Sequence, residues 1–492
     1  MNVTPTPSPP EAVSAAPVLE RIPASEIDAS CRPPLMFYFG SGLVWLFVGT
    51  VFWLIASMTF YVPALFADTS WLTVGRVRPA ATSAIVYGFA VQTAFGALLW
   101  IMCRLGNVRL LFLPALCVAG FIWNLALTAG VLGILAGGST GFEWFELPKY
   151  ASAGMFVAYA LIAVCAVTNF HLRRDRALFP SQWYLLAALF WFAWTFSAAG
   201  LLLHFAPVRG VFQNIVNAWY ASTLLDMWLT SVGLAIIFYF LPKLTARPLY
   251  SSTLAAFGFW TFAAVAQFAG MARLSAGPVP AWIGSVGVAA SGIMVVPLIS
   301  VAANWYLTLG DRAQALKQSE TGPFVWLAAI SYVVGGALQI IFGFREVSEI
   351  TDFTYAELAR TQLALHGFVA MALFGGLYYI VPRISQLEWP APRHVRLHFT
   401  LYAAGVAIIL LSLLGAGVMQ GFRVNKGTVD FVTATKPIAH IAGLSTFGVL
   451  LLLAGQVLAL KNFFTLCHRA SEQTRAYAID FITGRETVGR SA

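Results

Sequence analysis

Residues 217–243 read NAWYASTLLDMWLTSVGLAIIFYFLPK, and Asp226 and Lys243 are the only charged residues in the stretch. A helix of this length spans about 40 Å, which exceeds the roughly 30 Å thickness of a bilayer's hydrocarbon core. The apolar residues do not alternate with polar ones, as they would in a half-buried strand. The stretch therefore predicts a membrane-spanning helix that carries one carboxylate within its apolar length.

The rest of the chain repeats this pattern. Of its 492 residues 59% are hydrophobic and only 10% are charged, whereas about a quarter of a soluble domain's residues are charged. Because lipid offers no water to unpaired backbone groups, such stretches must be helical. The sequence predicts an all-α integral membrane protein, a bundle of twelve helices near residues 36–62, 80–102, 108–135, 151–171, 182–206, 214–241, 252–272, 281–308, 324–344, 358–382, 397–420 and 435–463.

Composition divides the chain into three segments. Residues 1–35 are rich in Pro, Ala, Ser and Thr and predict a disordered tail without a cleavable signal peptide. Residues 36–465 form the expected transmembrane domain, and residues 466–492 a polar C-terminal tail. The basic residues of the loops favour a cytoplasmic location for both tails.

Two classes of site are excluded. The 29 basic residues are spread over the chain and form no tract suited to nucleic acid. The five cysteines are too far apart for a zinc knuckle, a redox pair or an iron–sulfur cluster.

Two predicted helices end alike, in IIFYFLPK at 236–243 and GGLYYIVPR at 375–383. Taken alone, each aromatic pair with its following cation is typical of a membrane-interface belt. Longer segments resemble subunit I of the haem-copper oxidases, specifically the cbb3-type cytochrome c oxidases and their nitric oxide reductase relatives. These segments are WLTVGRVRPAATSAIVYGF (71–89), GFEWFELP (141–148), 217–251, AGMARLSAGPVPAW (269–282) and VSEITDFTYAELARTQLALHGFVAMALFGGLYYIVPR (347–383).

The resemblance implies a core with a low-spin haem b between two histidines, a high-spin haem b on one histidine and a copper ion on three. Imidazole nitrogens suit both metals. In this sequence the corresponding positions carry other residues, and the family's cross-linked tyrosine falls on Ala266. The six positions that correspond to the family's ligands are Ala81, Ser222, Ala272, Arg273, Arg360 and Gln362. We therefore expect no haem or copper in this chain and assign no catalytic residue.

Seven histidines remain. His171, His394, His398 and His468 are interpreted as loop or interface residues. His204, His366 and His440 lie in or near predicted helices, where we expect a hydrogen-bonded structural role; they are also the candidates for a relocated haem ligand, which is the alternative.

Charged residues occupy several of the vacated positions. Asp226 lies one turn after Ser222, and a lone charge inside the bundle is costly, so we expect Asp226 to pair with Arg273 or Arg360. The two arginines could instead reach water at the helix ends. Asp226, Arg273, Arg360 and Gln362 are the candidates for a polar pocket.

Glu143 and Glu146 match a pair that the resemblance places near a calcium ion in cbb3-type enzymes. Calcium requires six or more oxygen ligands, so we expect two solvated loop carboxylates, with a calcium site as the alternative. Arg76 and Arg78 match residues near haem propionates and would need another anion, which we expect to be Glu143 or Glu146.

Three functions fit these observations. The first is a non-catalytic or divergent subunit of a respiratory electron-transfer complex in the bacterial inner membrane, assembled with cytochrome c-containing or other membrane subunits. The second is a working terminal oxidase or nitric oxide reductase subunit with relocated ligands, which would reduce oxygen or nitric oxide. The third is an anion or proton pathway.

Overall fold

The computed structural model describes residues 21–275, 277–427 and 430–483, with side chains included except at 474 and 476–483. Twelve helices in these ranges are long and apolar enough to cross a membrane, as the sequence predicts. They are α1 (Ala24–Met58), α2 (Val74–Gly106), α3 (Leu113–Leu135), α4 (Lys149–His171), α5 (Pro180–Phe205), α6 (Val211–Thr245), α7 (Ser252–Leu274), α8 (Ala281–Leu309), α9 (Gly322–Phe342), α10 (Tyr355–Ser385), α11 (Pro392–Asn425) and α12 (Phe431–Gln473).

Every fourth helix lies at the centre of the bundle. In the most apolar 18-residue stretch of each helix, all residues of α2 and α6 and 89% of those of α10 are buried. In each of the other nine helices at most 50% of the residues of this stretch are buried. The nine outer helices therefore keep a lipid-facing side, and the three central helices contact mainly protein. Any site in the core must be built mostly from α2, α6 and α10.

The first helix begins earlier than the sequence suggests. Residues 1–20 lie outside the described residues, but Ala24–Met58 is continuous helix and includes Pro33 and Pro34. The predicted boundary at residue 36 is therefore wrong. Asp28 is 4% exposed, and its carboxylate accepts a hydrogen bond from Trp100 Nε1 at 2.8 Å and pairs with Arg104 at 3.1 Å. These contacts order a segment whose composition resembles a tail.

At the other end, α12 is interrupted by a turn at Leu444, and its second part runs as helix from Ser445 to Thr483, beyond the apolar length that ends at Gln473. The polar segment predicted at 466–492 is thus helical as far as residue 483, and residues 484–492 lie outside the described residues.

The three central helices end in the same way on the side where α1 begins. Each has a cation one turn after an aromatic residue: Arg104 after Trp100, Lys243 after Tyr239 and Arg383 after Tyr379. The aromatic rings pack together inside the bundle, with centroids 5.5 Å apart for Trp100 and Tyr239 and 5.9 Å for Trp100 and Tyr379. The interpretation of these aromatic residues as a membrane-interface belt is therefore wrong, because their rings pack against one another inside the bundle. The cations instead stabilise three helix C-termini, whose exposed carbonyls carry partial negative charge.

The central helices also share a widened turn. Each contains a π-helical segment, at Ala84–Val91 in α2, Thr223–Leu229 in α6 and Leu363–Ala370 in α10. These segments begin within three residues after Ala81, Ser222 and Gln362 respectively. Because π-helical turns occur frequently at functional sites, they mark the region where a site is expected.

Candidate functional site

A chain of alternating charges runs into the bundle at the level of the π-helical segments. Arg360 of α10 donates to both carboxylate oxygens of Glu357, with the shortest contact 2.8 Å from Nη2 to Oε1. Its Nη1 also donates to Asp226 Oδ1 of α6 at 3.2 Å. The ion pair expected for Asp226 is therefore present, with Arg360 as its partner.

Arg273 links this buried pair to the protein surface. Its Nε lies 3.5 Å from Glu357 Oε1, and its Nη2 lies 3.4 Å from Glu143 in the loop before α4. The exposed fraction of the side chain falls along the chain of charges, from 47% at Glu143 and 29% at Arg273 to 5% at Arg360. The alternative in which both arginines reach water is thus wrong for Arg360, because two carboxylates hold it inside.

Glu357 is a central member of this network that the sequence alone did not single out. Its carboxylate is shared by Arg273 and Arg360, and its side chain is 15% exposed. Two features of the sequence could have identified it. Glu357 lies three residues before Arg360, a spacing at which side chains of a helix face one another. It also lies in the first turn of the helix, where a carboxylate is favoured.

The network contains more carboxylates than cations. Asp352, in the loop before α10, has a buried Oδ2 without a hydrogen-bond partner among the described residues. Burial, with a smaller contribution from the charge of Glu357, raises the pKa of Asp352 to about 7. Asp352 can therefore be protonated near neutral pH, which limits the negative charge beside Glu357.

A small cavity adjoins the inner end of this network. It has a volume of about 30 Å³ and is lined by Asp226, Arg360, Thr230, Ser331 and Gln339, together with apolar residues. A single water needs roughly 10–15 Å³ on this measure, so the space suits about two waters. It is far too small for a macrocycle.

The residues at the copper-ligand positions lie close together but leave no room for imidazoles. Gly270 packs so tightly on α6 that a methyl group placed there would lie 2.0 Å from Ser222 Cβ. One at Gly287 of α8 would lie 2.2 Å from the Ala272 backbone nitrogen. The helices therefore meet directly where three histidines and an ion would have to fit.

The residues at the haem-ligand positions also lack a set of atoms that could coordinate the haem iron. Ala81 has no donor atom and is 3% exposed. Arg360 is committed to two carboxylates, and a guanidinium stays protonated in proteins and has no lone pair to offer iron. Gln362 Oε1 is buried without a hydrogen-bond partner among the described residues. This set of residues does not fit the haem and copper that the resemblance implies.

The candidate relocated ligands are separated by their surroundings. His204 stacks on Phe145, with ring centroids 4.5 Å apart. His366 stacks on Trp53 of α1 at 5.0 Å, and its Nδ1 is 2.8 Å from the hydroxyl of Tyr402 of α11. His440 is exposed. No two of these three histidines share a neighbour in the contacts above, and none of these contacts brings two of them together as an opposed pair.

His398 differs from its interpretation as a loop or interface residue. It lies within α11, is fully buried, and its Nδ1 is 2.8 Å from the hydroxyl of Tyr378. Its ring also packs edge-on against Phe374, with centroids 4.6 Å apart. This buried position results from the packing of α11 against Tyr378 and Phe374 of α10.

Glu143 and Glu146 have different environments. Glu143 is half exposed and pairs with Arg273, whereas Glu146 is 7% exposed and accepts a hydrogen bond from Ser83 at 3.5 Å. The expectation of two solvated carboxylates is therefore wrong for Glu146. Burial raises the pKa of Glu146 to about 8, so its carboxyl is largely protonated at neutral pH. No cluster of three or more His, Cys, Asp or Glu side chains suited to a metal occurs in the described residues, and a protonated carboxyl is a poor calcium ligand.

Arg76 and Arg78 do not pair with these carboxylates. Arg76 Nη1 donates to the carbonyl oxygen of Leu135 at 3.0 Å, at the end of α3, and Arg78 is exposed. Within the ranges that the structure covers, neither arginine forms an ion pair with Glu143 or Glu146. The expectation of such a pair is wrong, because a helix C-terminus supplies the acceptor for Arg76.

Nine helices around a central trio, with a site on α6, α7 and α10, give the described residues the fold of haem-copper oxidase subunit I, a membrane protein. The chain belongs to the family described as cytochrome c and quinol oxidase polypeptide I, which matches residues 34–452. A solved structure of a haem-copper terminal oxidase dimer superposes with a TM-score of 0.67 at 12% identity, covering 89% of this chain and 84% of the other. That likeness concerns the fold alone.

Curated relatives carry oxidase names. A cytochrome c oxidase subunit 1 homolog of Azorhizobium caulinodans is 23% identical over 87% of this chain and 80% of its own length. Cytochrome c oxidase subunit 1 of Rhodobacter capsulatus is 24% identical over 88% and 85%. A cbb3-type cytochrome c oxidase subunit of Stutzerimonas stutzeri is 24% identical over 77% and 81%.

Proposed function

We propose that this protein is a non-catalytic subunit I homologue that serves in a respiratory membrane complex. The observation that carries the proposal is the buried Asp226–Arg360–Glu357 network, in which Arg360 occupies a position where the family places a haem ligand. Fixed cations cannot coordinate iron or copper, and the carboxylates beside them are already occupied by guanidinium groups. The helical shell is retained, and the centre is held together by ion pairs.

Assembly with other subunits is the second part of the proposal. Relatives at 22–25% identity are named as subunits of cytochrome c oxidases, and they align over most of this chain. We propose cytochrome-containing or other respiratory membrane subunits as partners, in the bacterial cytoplasmic membrane. Both chain termini are assigned to the cytoplasm, because the loops on their side are the more basic ones.

A pyridine haemochrome spectrum of the purified protein tests the first part. The matched positive control is the Rhodobacter capsulatus relative expressed in the same host, which verifies the haem supply. We expect less than one haem b per chain and no stoichiometric copper by elemental analysis. Two haems b per chain would contradict the proposal and favour a working oxidase or nitric oxide reductase with relocated ligands.

Co-purification tests the second part. A mild-detergent extract from the native membrane should yield this chain together with respiratory subunits, identified by mass spectrometry. Isolation of this chain alone, while a known oxidase from the same extract keeps its subunits, would contradict the assembly.

A second candidate is a polar pathway for protons or anions. The graded burial from Glu143 to Asp226 and the 30 Å³ cavity beside Asp226 favour this alternative. Flux measured in proteoliposomes and lost in both Arg273→Gln and Arg360→Gln would support it, provided that both variants keep the unfolding temperature of the native protein. Absence of flux in the native protein would exclude the pathway, and the ion-pair network would then have only a structural role.

A further inference from the structure

A second cavity lies away from the ion-pair network, between α6, α8 and α9. Its volume is about 280 Å³, and none of the side chains that line it is charged. An apolar cavity of about 150 Å³ is large enough for benzene, so this one holds roughly ten to twelve carbon atoms. Ile237 and Leu241 of α6 form its inner wall, and Trp305 of α8 and Val333 of α9 lie at its sides.

The cavity opens toward lipid. Three of its lining residues are exposed on the outside of the bundle: Tyr306 at 75%, Ile330 at 40% and Val334 at 40%. Along α9 the lining runs from Val325 to Val334, which corresponds to about 14 Å of helix. This is about half of a bilayer's hydrocarbon thickness, so the cavity lies within one leaflet. It is the leaflet on the side where α6 and α8 end and α9 begins.

Unpaired cations lie beside the membrane-surface end of this cavity. The short helix Ala313–Gln318 places Leu316, which is 1% exposed, against the cavity. Arg312 precedes this helix, Lys317 follows Leu316, and both side chains are exposed. Neither forms an ion pair with any residue that the structure describes, whereas the nearby Arg247 is paired with Asp311.

We propose that this cavity binds one acyl chain of an anionic phospholipid, whose phosphate group lies at Arg312 and Lys317. In an empty cavity the wall atoms would lack dispersion contacts on one side, and a flexible hydrocarbon chain supplies these contacts. The lipid surroundings are as apolar as the cavity, so the selectivity comes from the charged headgroup. A partner's transmembrane helix, about 10 Å wide, is too large for this recess.

Native mass spectrometry after extraction in mild detergent tests the proposal on the full chain. Phosphatidylglycerol and phosphatidylcholine with identical acyl chains are supplied in equal amounts. We expect one phosphatidylglycerol to be retained in preference to phosphatidylcholine. Each basic residue near an anionic membrane surface changes binding roughly fivefold, so Arg312→Gln with Lys317→Gln should reduce the preference by about 25-fold while a lipid still binds.

A cavity-filling variant separates the chain site from the headgroup site. Ala329→Phe fills the recess and keeps both cations, and it should abolish retention of both lipids. The matched control is Arg393→Gln, which removes an exposed cation at the start of α11 and should change neither result. Equal retention of the two lipids by the native protein, or unchanged retention by Ala329→Phe, would overturn the proposal.

Photo-crosslinking of the native protein keeps the test decisive if Ala329→Phe fails to fold. Phosphatidylglycerol with a diazirine near the middle of one chain should label the peptide that contains residues 322–342. Labelling spread evenly over the outer helices would mean that only bulk lipid is in contact with the protein, and would refute the site.

Discussion

Removing Arg360 should destabilise the protein more than removing Asp226, although the two residues form one ion pair. Arg360→Leu leaves Asp226 without its cation and leaves Glu357 only the 3.5 Å contact to Arg273. Breaking a buried ion pair by removing one partner costs about 3–5 kcal/mol, because the remaining charge stays buried. We expect a loss of that size in the free energy of unfolding.

Asp226→Leu should cost less, about 1–2 kcal/mol, because Arg360 keeps its bidentate contact with Glu357. The substitution also removes Asp226 Oδ2, which has no partner among the described residues. The double variant Asp226→Leu with Arg360→Leu should recover at least 1 kcal/mol relative to the sum of the single losses, because the pair then disappears together.

Unfolding by SDS in mixed micelles, followed by tryptophan fluorescence and circular dichroism, measures these differences. The control is Arg247→Leu, since the Arg247–Asp311 pair is on the surface with side chains 37% and 77% exposed, and should cost less than about 1 kcal/mol. Strict additivity of Asp226→Leu and Arg360→Leu, or a loss for Arg360→Leu no larger than the control's, would refute the buried network.

Three further predictions concern single positions. The pKa of Glu146 is raised from 4.5 to about 8 in the folded protein. As the pH rises, this carboxyl therefore loses its proton in the unfolded chain before it does so in the folded protein. The unfolding temperature should fall between pH 5 and pH 8 and stay constant above pH 8. Glu146→Gln should flatten this dependence, and an unchanged pH profile would disprove it. Gly270→Ala places a methyl group 2.0 Å from Ser222 Cβ and should lower the free energy of unfolding by about 1–3 kcal/mol. In the control Gly415→Ala the added methyl group meets nothing within 4 Å, so this change should stabilise α11 by up to about 1 kcal/mol. Equal effects of the two changes would contradict the close packing of α6 and α7. Tyr402→Phe leaves His366 Nδ1 without its hydrogen bond and should cost about 1–3 kcal/mol in the same assay, and no loss would show that this histidine needs no partner.

The sequence was sufficient for the helices and for the family. Apolar runs long enough to cross a bilayer admit one backbone solution, because lipid cannot satisfy free amide and carbonyl groups. Twelve such runs were therefore predictable from hydropathy. The sequence also showed that the ligand positions are substituted, because this requires only the identity of single residues within segments that resemble the family.

The order of the first helix was not predictable from composition. Residues 24–35 contain Pro33 and Pro34 and resemble a tail, yet Asp28 is anchored by Trp100 and Arg104 of α2. His398 was misassigned for a similar reason: its burial depends on Tyr378 and Phe374, which come from another helix. Long-range partners of this kind leave no local pattern.

The identity of the charged partners was decided by tertiary structure. The sequence contained Asp226, Arg273 and Arg360 and indicated that a buried carboxylate needs a cation, but both arginines satisfied that requirement. The crossing of α6 and α10 brings Arg360 to 3.2 Å from Asp226, while Arg273 is held nearer the surface between Glu143 and Glu357. The chain's hydropathy determined the twelve membrane-spanning helices found in the described residues, because backbone groups must be satisfied locally. The packing of its central helices determined which charges meet, because ion pairing depends on distances between residues far apart in sequence.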